Sequence, residues 1–422
     1  MPVLGYHILL AVIVPLYRLR VWLRSRHQPD YAQEVAQRFG GFAPARHQGA
    51  VWIHAVSVGE TNAAQPVIQF FLDQGRAVLV TNTTRTGQAR VRQLFAEQVE
   101  SVFLPVDTQG LMKQFFDHYQ PRVIGLIETE LWPNLLSIAH QRNIPTILIN
   151  ARLSEKSAKG YAKFAALTRP MLQQLSQIAA QDQATADRFM ALGAPAHRVV
   201  VTGSLKFDLQ PPAAALQLAE QLRQTWPLAE RTIVVAASTH EPEENQILNI
   251  FKALHERYPQ TCLIIVPRHP ERFDRVAELV LEKGWTLARR SAGQAIDADT
   301  AVYLADSMGE LWTWYALAQM AFVGGSLAAT GGHNPLEPAR LGVPMVMGSH
   351  TFNFAKIVQS LIDAGGLVQV QEVSGVYETF AEWCEHPSLA KQVGQCGLAM
   401  LQANQGALAR QLALIQQWDS AG

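Results

Sequence analysis

The sequence predicts an α/β protein of two doubly wound domains behind an N-terminal hydrophobic helix, and three observations carry that expectation. From residue 51 onward, short apolar β-rich runs alternate with longer segments of helical spacing. The series restarts after a break at Pro211 and Pro212. Residues 3–17 are almost wholly apolar. Continuous apolar strands separated by helices describe a parallel sheet covered on both faces.

The chain has 422 residues, 48% hydrophobic and 17% charged, enough for two domains that each bury a core. Basic and acidic residues balance at 35 each, so no global field draws the protein to nucleic acid. Three cysteines, Cys262, Cys384 and Cys396, are an odd number without metal-ligand spacing, which fits reduced thiols in a cytosolic compartment. Cys262 lies in an apolar run and is expected in a core.

Residues 1–26 read as a retained membrane anchor. Arg18, Arg20, Arg24 and Arg26 follow the apolar run and precede the first acid, Asp30, whereas a signal peptide places its charges first and ends in a cleavage site. About fifteen helical residues reach about 22 Å, short of a bilayer core of about 30 Å. Spanning and lying in the interface both stay open, and a buried first helix is the soluble alternative. The arginines place the rest of the chain on the cytoplasmic side.

The first domain, 27–207, carries expected strands at 51–57, 77–83, 102–106, 123–127, 146–150, 178–180 and 199–202. The second, 208–422, carries them at 232–237, 263–266, 301–304, 320–323, 344–347 and 367–370, and from about Gly375 it is helical by composition. Two such sheets facing each other bind ligands in a cleft at the carboxyl ends of their strands.

The most informative stretch is 322–339. A short strand runs into Gly324 and Gly325, a small-residue loop with Ser326, a second pair, Gly331 and Gly332, and a helix start at Asn334 and Pro335. Glycines allow positive φ and close approach, and a helix start offers free N–H groups, so a phosphate fits there. Glu337, one turn after Asn334, can accept two hydrogen bonds from a ribose diol, which points to a nucleotide. The alternative is that the glycines only turn the chain and Asn334 and Glu337 only cap the helix.

Other marked loops fall at strand ends. In His54-Ala55-Val56-Ser57-Val58-Gly59-Glu60, Ser57, Gly59 and Glu60 should project into the cleft, with Glu60 either a general base or a helix-dipole cap. Glu128 and Glu130, before Trp132 and Pro133, either orient a substrate hydroxyl or cap the next helix. Arg152, Lys156 and Lys159 suit a phosphorylated or carboxylated substrate, or form a solvated face. Arg268 is placed for a second phosphate contact, with His269 a ligand contact or a packed loop residue.

Together the segments 54–60, 128–133, 150–161, 203–208, 267–270 and 324–338 resemble the 3-deoxy-D-manno-octulosonic acid (Kdo) transferases of lipopolysaccharide assembly, from the N-terminus to at least Phe354. The resemblance implies a GT-B fold of two Rossmann-like domains, the first for a lipid acceptor and the second for a nucleotide-sugar donor. It implies transfer of Kdo from CMP-Kdo to the tetraacyldisaccharide precursor of lipid A (lipid IVA), at the cytoplasmic face of the inner membrane. Residue by residue, Glu60 resembles the family's catalytic base and Glu130 its second functional acid, with Glu128 two residues away. Arg268, Gly325, Ser326, Asn334 and Glu337 resemble its donor-nucleotide site, to which the loop reading adds His269, Gly324 and Gly332. Ser57, Gly59, Arg152, Lys156 and Lys159 are the expected acceptor contacts. No cofactor is expected, and no metal: the CMP phosphate is left to the glycine-rich loop, the helix end and Arg268.

Two other classes compete. Another GT-B nucleotide-sugar enzyme, such as an epimerase, shares the donor loop but has no need of an anchor. A non-catalytic membrane-tethered nucleotide binder keeps Asn334 and Glu337 and tolerates loss of Glu60.

Overall fold

The computed structural model describes residues 2–25 and 31–419, so Arg26, Asp30 and the anchor boundary drawn after residue 26 lie outside the described residues. The chain divides into two compact units. One runs to Asp208 and includes the segment from Gln405 onward; the other is Leu209–Asn404.

The first unit is built on seven parallel strands: β1 Val51–His54, β2 Val78–Asn82, β3 Glu100–Phe103, β4 Val123–Ile127, β5 Thr146–Ala151, β6 Gln177–Ala180 and β7 Val199–Val201. Their order is β3-β2-β1-β4-β5-β6-β7. Each residue of β1, β2 and β4 is buried, as strands covered on both faces require. Alternate side chains feed two cores. Trp52, Leu79, Ile124 and Leu148 pack on one face of the sheet, and Val51, Ile53, Val80 and Ile149 on the other.

The second unit repeats the plan with β8 Thr232–Thr239, β9 Thr261–Pro267, β10 Leu287–Arg289, β11 Val302–Leu304, β12 Met320–Val323, β13 Met345–Met347 and β14 Val368–Gln369. Its order is β10-β11-β9-β8-β12-β13-β14, again all parallel. The expected strand set lacks β10. It is a three-residue edge strand, Leu-Ala-Arg, too short and too polar to leave an apolar run. Cys262 is fully buried on β9, and all three cysteines are free thiols.

Both sheets reverse their strand order once beside the first strand, between β1 and β4 and between β8 and β12. The crevice at such a switch point is where open α/β sheets bind ligands. The marked loops of each half begin there.

The C-terminal segment corrects the expected extent of the second domain to residue 422. Helix Ala407–Asp419 packs Ala407, Leu412 and Ile415 into the core behind β1, β4 and β5 of the first unit. Asp208 accepts the N–H groups of Gly406 at 2.7 Å and Leu408 at 2.6 Å, capping this helix where the chain returns. Arg76 and Arg122 hold its far end through Asp419.

The N-terminal helix, Pro2–Ser25, is 24 residues long, about 36 Å at 1.5 Å per residue. It is fastened to the first unit near both ends. The Tyr6 hydroxyl donates to Asp107 at 2.9 Å, and His7 Nε2 lies 2.9 Å from Asn134 Oδ1. Toward the other end Val21 is buried and Arg18 lies over the ring of Phe39. Ile8, Leu9, Val12, Ile13, Leu16, Leu19 and Leu23 remain exposed.

Candidate functional site

At the switch point of the first unit, β1 leads through Ala55 and Val56 into helix Val58–Asp73, with Ser57 as N-cap. Glu60 folds back over that start. One carboxylate oxygen accepts from Val56 N at 2.7 Å, and the other from the Ser57 hydroxyl at 3.0 Å. The pair is a capping box shifted by one residue, so the cap weighed for Glu60 is present, and its carboxylate stays partly exposed. Burial holds that carboxyl above its ordinary range. The bonds from Val56 and Ser57 pull it back, and the charges of Glu130 and Glu128 push it up. Gly59 belongs to the helix and not to the loop before it. It lies inside the first turn, and an added Cβ would meet only Ser57 Oγ at 3.9 Å, leaving open space beside Glu60.

Glu130 lies beyond β4, where Trp132 Nε1 donates to its Oε2 at 2.8 Å. The same oxygen is 3.6 Å from Nε2 of His54, a fully buried residue at the end of β1. Glu128 occupies the left-handed region, φ 62, as β4 ends. Strained positions of this kind concentrate at functional sites. On the next loop Arg152, Lys156 and Lys159 are all exposed. Lys159 forms an i,i+4 pair with Glu155 at 2.7 Å, which a solvated face also provides. Lys156 makes no hydrogen bond or ion pair among the described residues.

At the switch point of the second unit the expected phosphate cradle exists, and a side chain of the protein fills it. Glu243 is buried in the first turn of helix Glu243–Arg257. Its Oε1 accepts from Ser326 N at 3.0 Å, Leu327 N at 2.9 Å and Ala328 N at 3.2 Å. Its Oε2 accepts from Gly325 N at 2.7 Å and His240 N at 3.0 Å. The loop is therefore an anion site with its anion built in. Ser326 is likewise committed, since its buried hydroxyl donates to Val323 O and accepts from Gly348 N. The N–H groups of Gly325 and Ser326, expected to meet a phosphate, here donate to Glu243.

Gly325, Gly331 and Gly332 do adopt positive φ. Gly324 does not, but a Cβ there would lie 2.5 Å from Ser238 O, so close approach explains it. The helix after the loop is only Leu336–Arg340, five residues, because Gly342, at positive φ, turns the chain away. It is too short to supply the helix-end field expected of it. What the loop presents instead is side chains. Asn334 caps Leu336 N at 3.2 Å and donates to Glu337 at 3.1 Å. Glu337 keeps a partial opening to solvent, yet the surrounding protein desolvates it and pushes its carboxyl up to about 7, against the Asn334 bond.

Nearby, His240 Nε2 and His333 Nε2 are 2.7 Å apart, and the ring of His269 meets His240 edge-on at 5.1 Å. Burial, then the charges of His240, Arg268 and His269, lowers His333 to about 4, so it is neutral at physiological pH. The Arg268 guanidinium, exposed after β9, makes no hydrogen bond or ion pair among the described residues. His54, Glu243, His240 and His333 are additions to the expected site residues. Among the described residues no three His, Cys, Asp or Glu side chains cluster as a metal site. One Asp-X-Asp triplet occurs, Asp297-Ala298-Asp299, and there Asp297 accepts from Asp299 N and the Thr300 hydroxyl in a turn before β11. A cavity of about 560 Å³, lined by Arg223, Thr232, Met320, Pro344 and Lys391, opens at the opposite end of the second sheet and contains none of the candidate residues.

Residues 33–209 match the family described as 3-deoxy-D-manno-octulosonic-acid transferase. The 3-deoxy-D-manno-octulosonic acid transferase of Haemophilus influenzae is 38% identical over 416 residues, covering 97% of each chain. The chain belongs to the Kdo transferases. The Bordetella pertussis transferase is 34% identical over 431 residues and covers 98% of each chain. This transferase is accordingly a glycosyltransferase, and the family match, not the fold, separates it from the epimerase alternative. A UDP-GlcNAc 2-epimerase from Neisseria meningitidis, solved with UDP-GlcNAc bound, shares the two-domain fold at a TM-score of 0.55. It covers 88% of this transferase and all of its own chain at only 15% identity.

Proposed function

We propose that the transferase moves Kdo from CMP-Kdo to lipid IVA by a single displacement with inversion, without a metal, at the cytoplasmic face of the inner membrane. The first unit takes the acceptor and the second the donor. The observation that carries the mechanism is Glu60, a partly exposed carboxylate at a sheet switch point whose proton affinity is raised by burial and by two neighbouring acids. Glu60 removes the proton of the acceptor's primary hydroxyl as that oxygen bonds to the anomeric carbon of Kdo. The bond from that carbon to the CMP phosphate breaks on the opposite side, and the electron pair leaves with CMP.

Because Glu243 already fills the loop's N–H groups, the leaving phosphate falls to the uncommitted Arg268 guanidinium, with His269 beside it. Asn334 and Glu337 take the ribose, and Gly324 and Gly332 give the loop its shape. Glu130 is the second functional acid, ahead of Glu128, because Glu130 is held by an indole and faces a buried imidazole 3.6 Å away. Ser57 and Gly59 border the acceptor hydroxyl, and Arg152, Lys156 and Lys159 meet the acceptor phosphates.

Membrane association rests on the N-terminal helix, whose stretch Gly5–Leu23 is long and apolar enough to cross a bilayer and is only 6% buried. Docking near both ends favours the interfacial arrangement. A spanning helix would carry its first turns about 30 Å from the domain surface, out of reach of Asp107 and Asn134.

The test is transfer from CMP-Kdo, generated in situ, to bisphosphorylated tetraacyl disaccharide, with parent and Glu60→Gln proteins in the presence of a chelator. Chelator-resistant product from the parent and a loss of at least about a hundredfold in the variant are expected. Equal rates remove Glu60 as base, chelator sensitivity removes the metal-free mechanism, and no product from a parent that binds CMP removes the substrate assignment.

A further inference from the structure

We infer that His54 is the positioning residue for Glu130, with its tautomer fixed by a buried hydrogen-bond relay that runs across β2, β1 and β4 from Trp52 through Thr81. This rests on the reading of Glu130 as the second functional acid. The three strand ends are neighbours, since His54 pairs with Thr81 on one side and with Leu126 on the other. Trp52 and His54, two residues apart on β1, both reach Thr81.

Counting donors along this line settles the direction. An indole can only donate, so Trp52 Nε1, 2.8 Å from Thr81 Oγ1, makes that oxygen an acceptor. The threonine's own hydrogen then needs an acceptor, and His54 Nδ1 lies 2.8 Å away. Nδ1 is therefore the bare nitrogen and Nε2 carries the proton. The opposite tautomer would aim Nδ1–H at Thr81 Oγ1 or at the second lone pair of the Thr81 carbonyl, 3.1 Å away. It would also strand the hydroxyl hydrogen and set a bare nitrogen against a carboxylate.

His54 is fully buried, and its Nε2 has no hydrogen-bond partner. An orphaned buried donor is costly and needs a reason. The reason is Glu130 Oε2 at 3.6 Å, the oxygen that Trp132 Nε1 holds from its other side. A movement of about 0.5 Å closes that gap to a hydrogen bond, and such contacts commonly tighten only when substrate is bound. Two N–H groups, an imidazole from beneath and an indole from the side, then aim the Glu130 carboxylate. His54 never touches substrate.

The tautomer is measured on the folded protein without substrate, from the ring-nitrogen shifts of 15N-histidine-labelled parent, with His54 assigned by its disappearance in His54→Gln. A protonated Nε2 and a bare Nδ1 are expected in the parent. Thr81→Val, which removes the hydroxyl at nearly constant shape, should move the proton to Nδ1. It should lower kcat about ten- to hundredfold, the range for misplacing one hydrogen bond to a charged group, with donor KM little changed. Thr81→Ser, which keeps the hydroxyl, should restore the parent tautomer and most of kcat. A bare Nε2 in the parent, or a Thr81→Val protein that switches tautomer at full kcat, overturns the relay. Full kcat in Glu130→Gln overturns instead the assignment of Glu130 on which it rests.

Discussion

Replacing Glu243 by glutamine tests whether this one carboxylate holds the glycine-rich loop in shape. Five backbone N–H groups converge on it, three on Oε1 and two on Oε2. An amide offers one acceptor oxygen, and its NH2 accepts nothing. In the better orientation the oxygen keeps Ser326, Leu327 and Ala328, and the NH2 faces the N–H groups of Gly325 and His240. Two buried donors are left unpaired at about 1–3 kcal/mol each, a total of about 2–6 kcal/mol. That is a large part of the roughly 5–15 kcal/mol that stabilises an ordinary domain. Two compact units need not unfold together, so one global midpoint would blur the effect. Hydrogen exchange read by mass spectrometry on residues 324–328 isolates it. At the low end, 2 kcal/mol speeds opening-limited exchange about thirtyfold. Parent-like protection in Glu243→Gln, with donor KM unchanged, would refute the keystone role.

Glu337 gives a pH dependence of definite sign. With its carboxyl raised to about 7, it is ionised and able to accept from a ribose diol above that pH, and protonated below it. The donor KM should therefore climb as pH falls through about 7, and Glu337→Gln should remove the dependence; a flat parent profile contradicts the ribose role. On the N-terminal helix, combined substitution of Ile8, Val12 and Leu16 by serine should weaken binding to anionic liposomes by more than about a hundredfold, taking about 1 kcal/mol for each half-buried apolar side chain. Folding should be unaffected, because all three are already exposed. Unchanged flotation would argue against insertion of that face, and an N-terminal tag sealed from cytoplasmic-side protease would argue for a spanning helix.

The doubled α/β plan was legible in the sequence because parallel strands covered on both faces leave continuous apolar runs, and among the described residues every strand but β10 falls in such a run. β10 does not, because an edge strand of three residues needs no apolar surface. Glu60 and Glu130 could be proposed from the sequence for a topological reason, since each lies just beyond a strand that flanks the switch point. What the sequence hid is long-range partnership. Glu243 meets the loop about eighty residues further along, and nothing in its own helix distinguishes it from an ordinary first-turn acid. The glycines correctly announced an anion site, but spacing alone cannot tell an external phosphate from an internal carboxylate. His54 was in view within its motif, and its role depends on Thr81 and Glu130, which only strand register brings beside it. The final helix was misplaced because amphipathic spacing says that a face is buried, not against which sheet.

That returning helix bears on synthesis. The core behind β1, β4 and β5 includes Ala407, Leu412 and Ile415, so the ribosome finishes the whole second unit before releasing the last wall of the first. Domains made early ordinarily fold early. Here the earlier half waits with the β4 and β5 part of one sheet face uncovered, and the half inserted within it is free to fold first. A nascent chain stalled before residue 405 would expose Ile127 and Ile149 to chaperones, and a fragment ending at Asp208 would carry the same open flank.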